Sequence, residues 1–306
     1  MKTRVFRVLL PLLLNVGCMS NLTELPNPNV QVIGHRGHVS AYPQNTINGV
    51  ESAVALGADG VELDLVISAD RQVVISHEPY MKSSYMLTPQ GERINRHREK
   101  EYNLYTMSYD SIRKFISGQI PDRKFRDQQQ IASYKPLLIA LFDSVAAFTK
   151  TKNLQPVTYF LEIKSQPSDY EVFQPRPTEF VDLVMKVIKE KNLEDRVVLK
   201  SFDANILNAL KQKYPEIPVS LLLFKKGISE GLEELQFQPE FIGPYYKQLK
   251  DAETVASLQN RGIKVVPWTV NTKKDIHHMF KIGVDGIISD FPERVLKEKE
   301  ILTRAD

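Results

Sequence analysis

The chain has 306 residues, 42% apolar and 25% charged, with a formal charge of +3. That length suits one catalytic domain of the α/β-barrel kind, which commonly takes about 250 residues. Lys2, Arg4 and Arg7 all precede the first plausible cleavage point, so the mature chain is neutral, which argues against a nucleic-acid partner.

The basic start is followed by the apolar run Val8 to Leu14, too short to span a bilayer and shaped like an export signal over residues 1–17. The only cysteine, Cys18, follows Val16-Gly17, small residues like those of the lipobox at which bacterial lipoproteins are cut and acylated, although Asn15 stands where leucine is usual. A plain secretory signal with an incidental cysteine is the alternative. The expectation is an extracytoplasmic protein of the periplasm or cell envelope, attached to the membrane only through a lipid on Cys18. Residues 18–29 then form a tether, and residues 30–306 the folded domain. A lone cysteine allows no disulfide within a monomer.

From there, short β-branched runs alternate with longer amphipathic stretches, the pattern of a parallel α/β fold. Strands are predicted near Val30–Gly34, Gly60–Ile67, Val73–His77, Val157–Ile163, Val197–Ser201, Val219–Leu223, Phe241–Gly243, Lys264–Trp268 and Gly286–Ser289. The link Ser68-Ala69-Asp70-Arg71-Gln72 is too short for a parallel crossover, so Val73–His77 must return antiparallel as a hairpin arm. Eight strands remain, enough to close a barrel. Helical periods fall at Thr46–Leu56, Leu137–Thr149, Thr178–Lys191, Ala204–Lys213, Ala252–Arg261 and Lys273–Ile282. Residues 80–135 are polar, without a convincing strand, and read as an insertion over the barrel mouth.

Side chains at i and i+2 of a strand share a face, so Glu62 and Asp64 converge while Val61, Leu63 and Leu65 face the other way. Glu162 and Lys164 repeat the pattern. Carboxylates crowded in a barrel interior cost several kcal/mol per ion unless a cation lies between them. Oxygen-only ligands suit one hard ion, Ca²⁺ or Mg²⁺, and disfavour zinc. Any single acid here reads equally well as half of a buried ion pair, Glu162 with Lys164 for instance; together, late in their strands, they read as a site. His35 and His77 end the first strand and the hairpin arm, where imidazoles can serve as acid and base. Arg36 and Lys164 offer donors for phosphate oxygens. Ser201, Asp59, Asp285 and the other histidines read as turns, caps or solvated groups.

The string His35-Arg36-Gly37, Pro43-Gln44-Asn45-Thr46, Gly57 to Asp64, Ser76-His77-Glu78-Pro79, Glu162-Ile163-Lys164, Ser201-Phe202-Asp203, Pro267 to Asn271 and Gly283 to Asp290 resembles the glycerophosphodiester phosphodiesterases, in their order, over residues 30 to 295. The resemblance implies a TIM-type (β/α)8 barrel of the phospholipase C-like phosphodiesterase kind. It implies that Glu62, Asp64 and Glu162 bind a divalent ion and that His35 and His77 are the acid/base pair. It further implies that Arg36 and Lys164 hold the phosphate of a small glycerophosphodiester and that Trp268 walls the glycerol pocket. The glycerol hydroxyl beside the phosphate is then the first nucleophile, giving a cyclic phosphate that water opens; the residues alone do not choose this over direct attack by water. Gln44 replaces the glutamate usual in the family, leaving an amide oxygen to accept a hydrogen bond from Arg36 without the charge.

Two other readings compete. A barrel phospholipase or phosphoinositide phosphodiesterase keeps the chemistry but needs an apolar rim for lipid, and a non-catalytic phosphodiester-binding protein is encouraged only by Gln44. Glycosidic hydrolysis fits poorly, because Glu62 and Asp64 point the same way from one strand.

Overall fold

A computed structural model describes residues 29–304. The predicted export signal, Cys18 and almost all of the 18–29 tether lie outside the described residues. The strands are β1 (Gln31–His35), β2 (Gly60–Ile67), β3 (Val73–Ile75), β4 (Met86–Leu87), β5 (Ile116–Ser117), β6 (Thr158–Ile163), β7 (Val197–Ser201), β8 (Val219–Leu223), β9 (Phe241–Pro244), β10 (Lys264–Val265) and β11 (Gly286–Ser289). The helices are α1 (Ile47–Ala55), α2 (Tyr109–Ile112), α3 (Leu138–Lys152), α4 (Pro177–Glu190), α5 (Ala204–Lys213), α6 (Ile228–Glu233), α7 (Ala252–Gln259), α8 (Lys273–Lys281) and α9 (Pro292–Arg304).

Eight strands run parallel in the order β10-β9-β8-β7-β6-β2-β1-β11. The ends of this sheet meet through backbone hydrogen bonds from Asp285 N–H to the Val265 carbonyl and from Ile288 N–H to the Pro267 carbonyl, both 3.0 Å, which closes a TIM-type barrel. β3 pairs antiparallel with β2, Val74 opposite Val66, as the short link requires. Regular pairing stops at Ile75 and Val265, short of the predicted His77 and Trp268. The chain bends at His77, and backbone hydrogen bonds from Ser76 and Trp268 N–H to the Asp64 and Pro244 carbonyls, at 2.9 and 3.2 Å, still hold both segments to the barrel.

Helices cover the outside, so the strands are buried on both faces and read as nearly unbroken apolar runs. Val61, Leu63 and Leu65 pack outward with Val50, Ala53, Leu138 and Leu141 in the main core. Inside the barrel, Ile33, Phe160, Val198, Phe241, Val266 and Ile288 form a separate apolar floor. Gly60 makes room for that floor: a Cβ there would meet the Phe160 ring at 3.1 and 3.3 Å. Above it, the same inward face of each strand turns polar or aromatic: His35 follows Ile33, Glu162 follows Phe160, Lys200 follows Val198, Trp268 follows Val266 and Asp290 follows Ile288. This alternation builds the site.

At the opposite end, Asp59 and Asp285 do more than shape turns. Their carboxylates accept the Val32 and Val265 backbone N–H groups at 2.8 and 2.7 Å, satisfying strand donors that the barrel leaves unpaired. Ser201 does not cap the helix after β7; its hydroxyl donates to the Ile163 carbonyl, and Asp203 caps α5.

The insertion departs most from expectation. It carries the β4–β5 pair, α2 and its own core, in which Met81, Met86, Ile94, Leu104, Ile112 and Phe115 pack on Val66 and Val74 of the hairpin. These apolar residues are scattered among polar ones without a helical or strand period, so no pattern announced them.

Candidate active site

A sharp turn after β1 begins the site. Arg36 and Gly37 both take positive φ, 52° and 85°, and a Cβ on Gly37 would lie 2.7 Å from the backbone of Gly49. The turn aims the Arg36 side chain back over the mouth. Its Nη1 donates to Gln44 Oε1, so the amide oxygen does take the contact expected of it. The Arg36 backbone N–H donates to Glu62 at 3.1 Å, and its Nε pairs with Asp64 at 3.3 Å without hydrogen-bond geometry.

Glu62, Asp64 and Glu162 converge as predicted. All three are buried, and each offers an oxygen within 4.8 Å of the others. That spacing fits three ligands around one ion with metal–oxygen distances of about 2.1–2.5 Å, and the all-oxygen donor set fits a hard divalent cation. Three cations balance the acids. Lys164 Nζ stands 2.6 Å from Glu162 and 3.6 Å from Asp64, Lys200 Nζ stands 3.3 Å from Glu62, and Arg36 completes the set. The pairing of Glu162 with Lys164 therefore exists alongside the carboxylate cluster, not in place of it.

The electrostatics follow from this crowding. Burial works to raise the Asp64 carboxyl, but the charges of His77, Arg36 and Lys164 and the Asn45 amide, 2.8 Å away, outweigh it and hold the pKa well below the carboxylate range. Burial lowers the Lys164 ammonium, yet Glu162 and Asp64 prevail and push it up to about 12.

The two histidines are held alike. His35 Nδ1 lies 2.5 Å from Asp290 Oδ1, and Asn271 donates to the other Asp290 oxygen at 2.7 Å. His77 Nδ1 lies 3.0 Å from Glu78 Oε1, whose second oxygen accepts the Tyr85 hydroxyl at 2.5 Å. Burial would raise the Glu78 carboxyl, but the hydrogen bond and charge of His77, the Tyr85 hydroxyl and the Lys135 ammonium hold it down to about 2. Asp290 is likewise lowered, against its burial, by His35 and Asn271.

Both imidazoles line a cavity of about 400 Å³ together with Arg36, Glu62, Glu162, Lys164 and Lys200 and the apolar side chains of Phe202, Leu222, Phe224 and Trp268. Trp268 Nε1 donates to the Gly243 carbonyl at 2.7 Å, and Phe202 meets the indole edge-on with centroids 5.5 Å apart. Each residue the sequence nominated, apart from Cys18, is thus placed at or around one cavity. The sequence reading gave no role to Lys200, Asp290, Asn45, Glu78 or Asn271. Strand parity would have found two of them, since Lys200 and Asp290 occupy inward positions directly above floor residues.

A closed barrel with three carboxylates spaced to hold a cation at the C-terminal ends of its strands, ringed by imidazole and cationic side chains, has the equipment of a phosphodiester hydrolase. Comparison with known proteins narrows the class. The model of the glycerophosphoryl diester phosphodiesterase family matches residues 35–294. A glycerophosphodiester phosphodiesterase of Caldanaerobacter subterraneus subsp. tengcongensis is 30% identical over 266 residues, 87% of this chain and 96% of that protein. A crystal structure of a putative glycerophosphoryl diester phosphodiesterase from Silicibacter pomeroyi superposes with a TM-score of 0.80 at 27% identity, covering 91% of this chain and 96% of the other. An Oleispira antarctica phosphodiesterase, solved with its product sn-glycerol-3-phosphate, shares the fold with a TM-score of 0.69 at 20% identity over 90% of this chain and 97% of its own. The chain belongs to the glycerophosphoryl diester phosphodiesterase family and is a glycerophosphodiester phosphodiesterase.

Proposed function

We propose that the enzyme releases glycerol 3-phosphate and an alcohol by a two-histidine mechanism in which His35 and His77 exchange acid and base roles. One observation carries this reading: each imidazole has its Nδ1 on a carboxylate and lines the cavity above the acidic cluster. With Nδ1–H donating to Asp290 or Glu78, Nε2 of each ring is left to take a proton from an attacking oxygen or give one to a departing alkoxide. Arg36 and Lys164 hold the phosphate oxygens, Lys200 adds charge at the floor, and Trp268 packs against the glycerol carbons. Glu62, Asp64 and Glu162 would hold Ca²⁺ or Mg²⁺, which when bound would supply positive charge beside the phosphodiester. The glycerol hydroxyl beside the phosphate is the first nucleophile, and water opens the resulting cyclic phosphate. The purified mature enzyme, given glycerophosphocholine or glycerophosphoethanolamine with Ca²⁺ or Mg²⁺, is expected to release glycerol 3-phosphate detectable by ³¹P NMR. No release with either ion contradicts the reading.

The aromatic rim favours a second substrate class. Phe202 and Phe224 are 42% and 48% exposed beside Trp268, an apolar lip of the kind a lipid-bearing substrate needs. Comparing a micellar lysophospholipid with its deacylated form separates the two: faster turnover of the deacylated diester rejects the lipid reading.

The basic start and apolar run of the leader support export, and Cys18 supports acylation. Fractionation of cells expressing the full chain, with Cys18→Ala as control, tests this; membrane attachment that persists in the variant rules out the Cys18 anchor.

A further inference from the structure

We propose that Lys135 is a positioning residue for His77, acting through Tyr85 and Glu78, so that the folded insertion is a working part of the catalytic apparatus. The inference rests on the two-histidine reading of the site.

Lys135 is 4% exposed and does not line the reaction cavity. Its Nζ donates to Ser76 Oγ at 2.6 Å and to the Tyr85 hydroxyl oxygen at 3.3 Å. An ammonium has no lone pair, so both hydroxyls must direct their own protons elsewhere. Both turn to the same residue: Ser76 donates to the Glu78 carbonyl at 2.6 Å and Tyr85 donates to Glu78 Oε2 at 2.5 Å. Glu78 is thereby fixed as an acceptor, and Oε1 receives the His77 Nδ1 proton at 3.0 Å. Three linked hydrogen bonds thus leave one tautomer for the catalytic ring, with Nε2 toward the cavity. The charged groups around Lys135 support the same direction. Burial lowers its ammonium to about 8, while Glu78 and Asp64 oppose that fall and Arg36 adds to it, so the group remains largely cationic at neutral pH.

The chain of contacts exists only when the insertion is folded. Tyr85 immediately precedes β4, and Lys135 is the insertion's last residue. The Ser117–Ser133 backbone pair, with hydrogen bonds of 2.8 and 2.9 Å, and the Ile75 N–H bond to the Pro136 carbonyl at 2.8 Å bring these two ends together behind His77. Removing either link frees Glu78 to rotate and lets the imidazole leave its working orientation, without touching the ion ligands or the substrate wall.

The test compares wild type, Lys135→Met, Tyr85→Phe and the double variant on glycerophosphocholine, with melting temperature and divalent-ion affinity measured alongside. Each single variant is expected to lower kcat about tenfold to a hundredfold with KM within about twofold, and the double variant to be no slower than the slower single one. Tyr85→Phe removes only an oxygen and decides the matter by the same kcat-against-KM split if Lys135→Met does not fold. Unchanged kcat in Tyr85→Phe, losses that simply multiply, or a rise in KM matching the fall in kcat would overturn the proposal. A wild-type enzyme that releases no glycerol 3-phosphate contradicts the functional reading instead, so the two failures are distinguishable.

Discussion

His35→Ala and His77→Ala are each expected to lower kcat by about a thousandfold, roughly 4 kcal/mol of transition-state stabilisation, with divalent-ion affinity kept. The size follows from what each ring does. A positioned acid or base moves a proton that water moves poorly, and the Nδ1 contacts to Asp290 and Glu78 hold each ring ready to do so. Both substitutions leave the three carboxylates themselves in place, so calorimetric titration with Ca²⁺ or Mg²⁺ reads ion binding separately from turnover. Since the two rings serve one reaction as a unit, the double variant is expected to be little slower than either single one. A His77→Ala enzyme that keeps near-native kcat contradicts the acid/base assignment, whatever its ion affinity.

Asp64→Asn is expected to cost at least about a hundredfold in ion affinity and a comparable or larger factor in kcat at limiting ion. The isosteric amide keeps the volume but removes a fully buried charge from the cluster. There Asn45, Arg36 and Lys164 all address the same carboxylate. Without it, Arg36 and Lys164 lose a shared counter-charge close to where the ion is to bind, which repels the cation further. Raising the ion concentration is expected to recover part of the activity, and steady-state rates across a Ca²⁺ or Mg²⁺ series read this directly. Recovery by added ion separates a weakened cation site from a misfolded variant.

Much of this was legible in the sequence because barrel strands buried on both faces are conspicuous. The β-branched runs marked the eight strands, and the brevity of the Ser68–Gln72 link identified β3 as a hairpin arm before any pairing was visible. The ion ligands were legible for a related reason: a carboxylate on a strand of valine, leucine and isoleucine stands out, as Glu62, Asp64 and Glu162 do. Lys200 is harder to read, because a lone lysine near the end of Val197-Val198-Leu199-Lys200-Ser201 resembles a strand end reaching solvent, and only the parity set by Val198 turns it inward. Asp290 and Glu78 were visible within motifs, but their roles depend on contacts made across the barrel and along a bent strand end. The insertion hid the most. Met81, Met86, Leu104 and Phe115 lack any common period, and nothing local indicates that Lys135 is buried behind a histidine 58 positions earlier.

Anomalous scattering from crystals of the enzyme grown with Mn²⁺ in place of Ca²⁺ or Mg²⁺ tests the central claim most directly. The expected result is one strong peak at the barrel mouth, about 2.1–2.3 Å from an oxygen of each of Glu62, Asp64 and Glu162, with the His35 and His77 rings on either side of the adjoining cavity. A peak bound elsewhere, or none at this cluster under saturating ion, would contradict it.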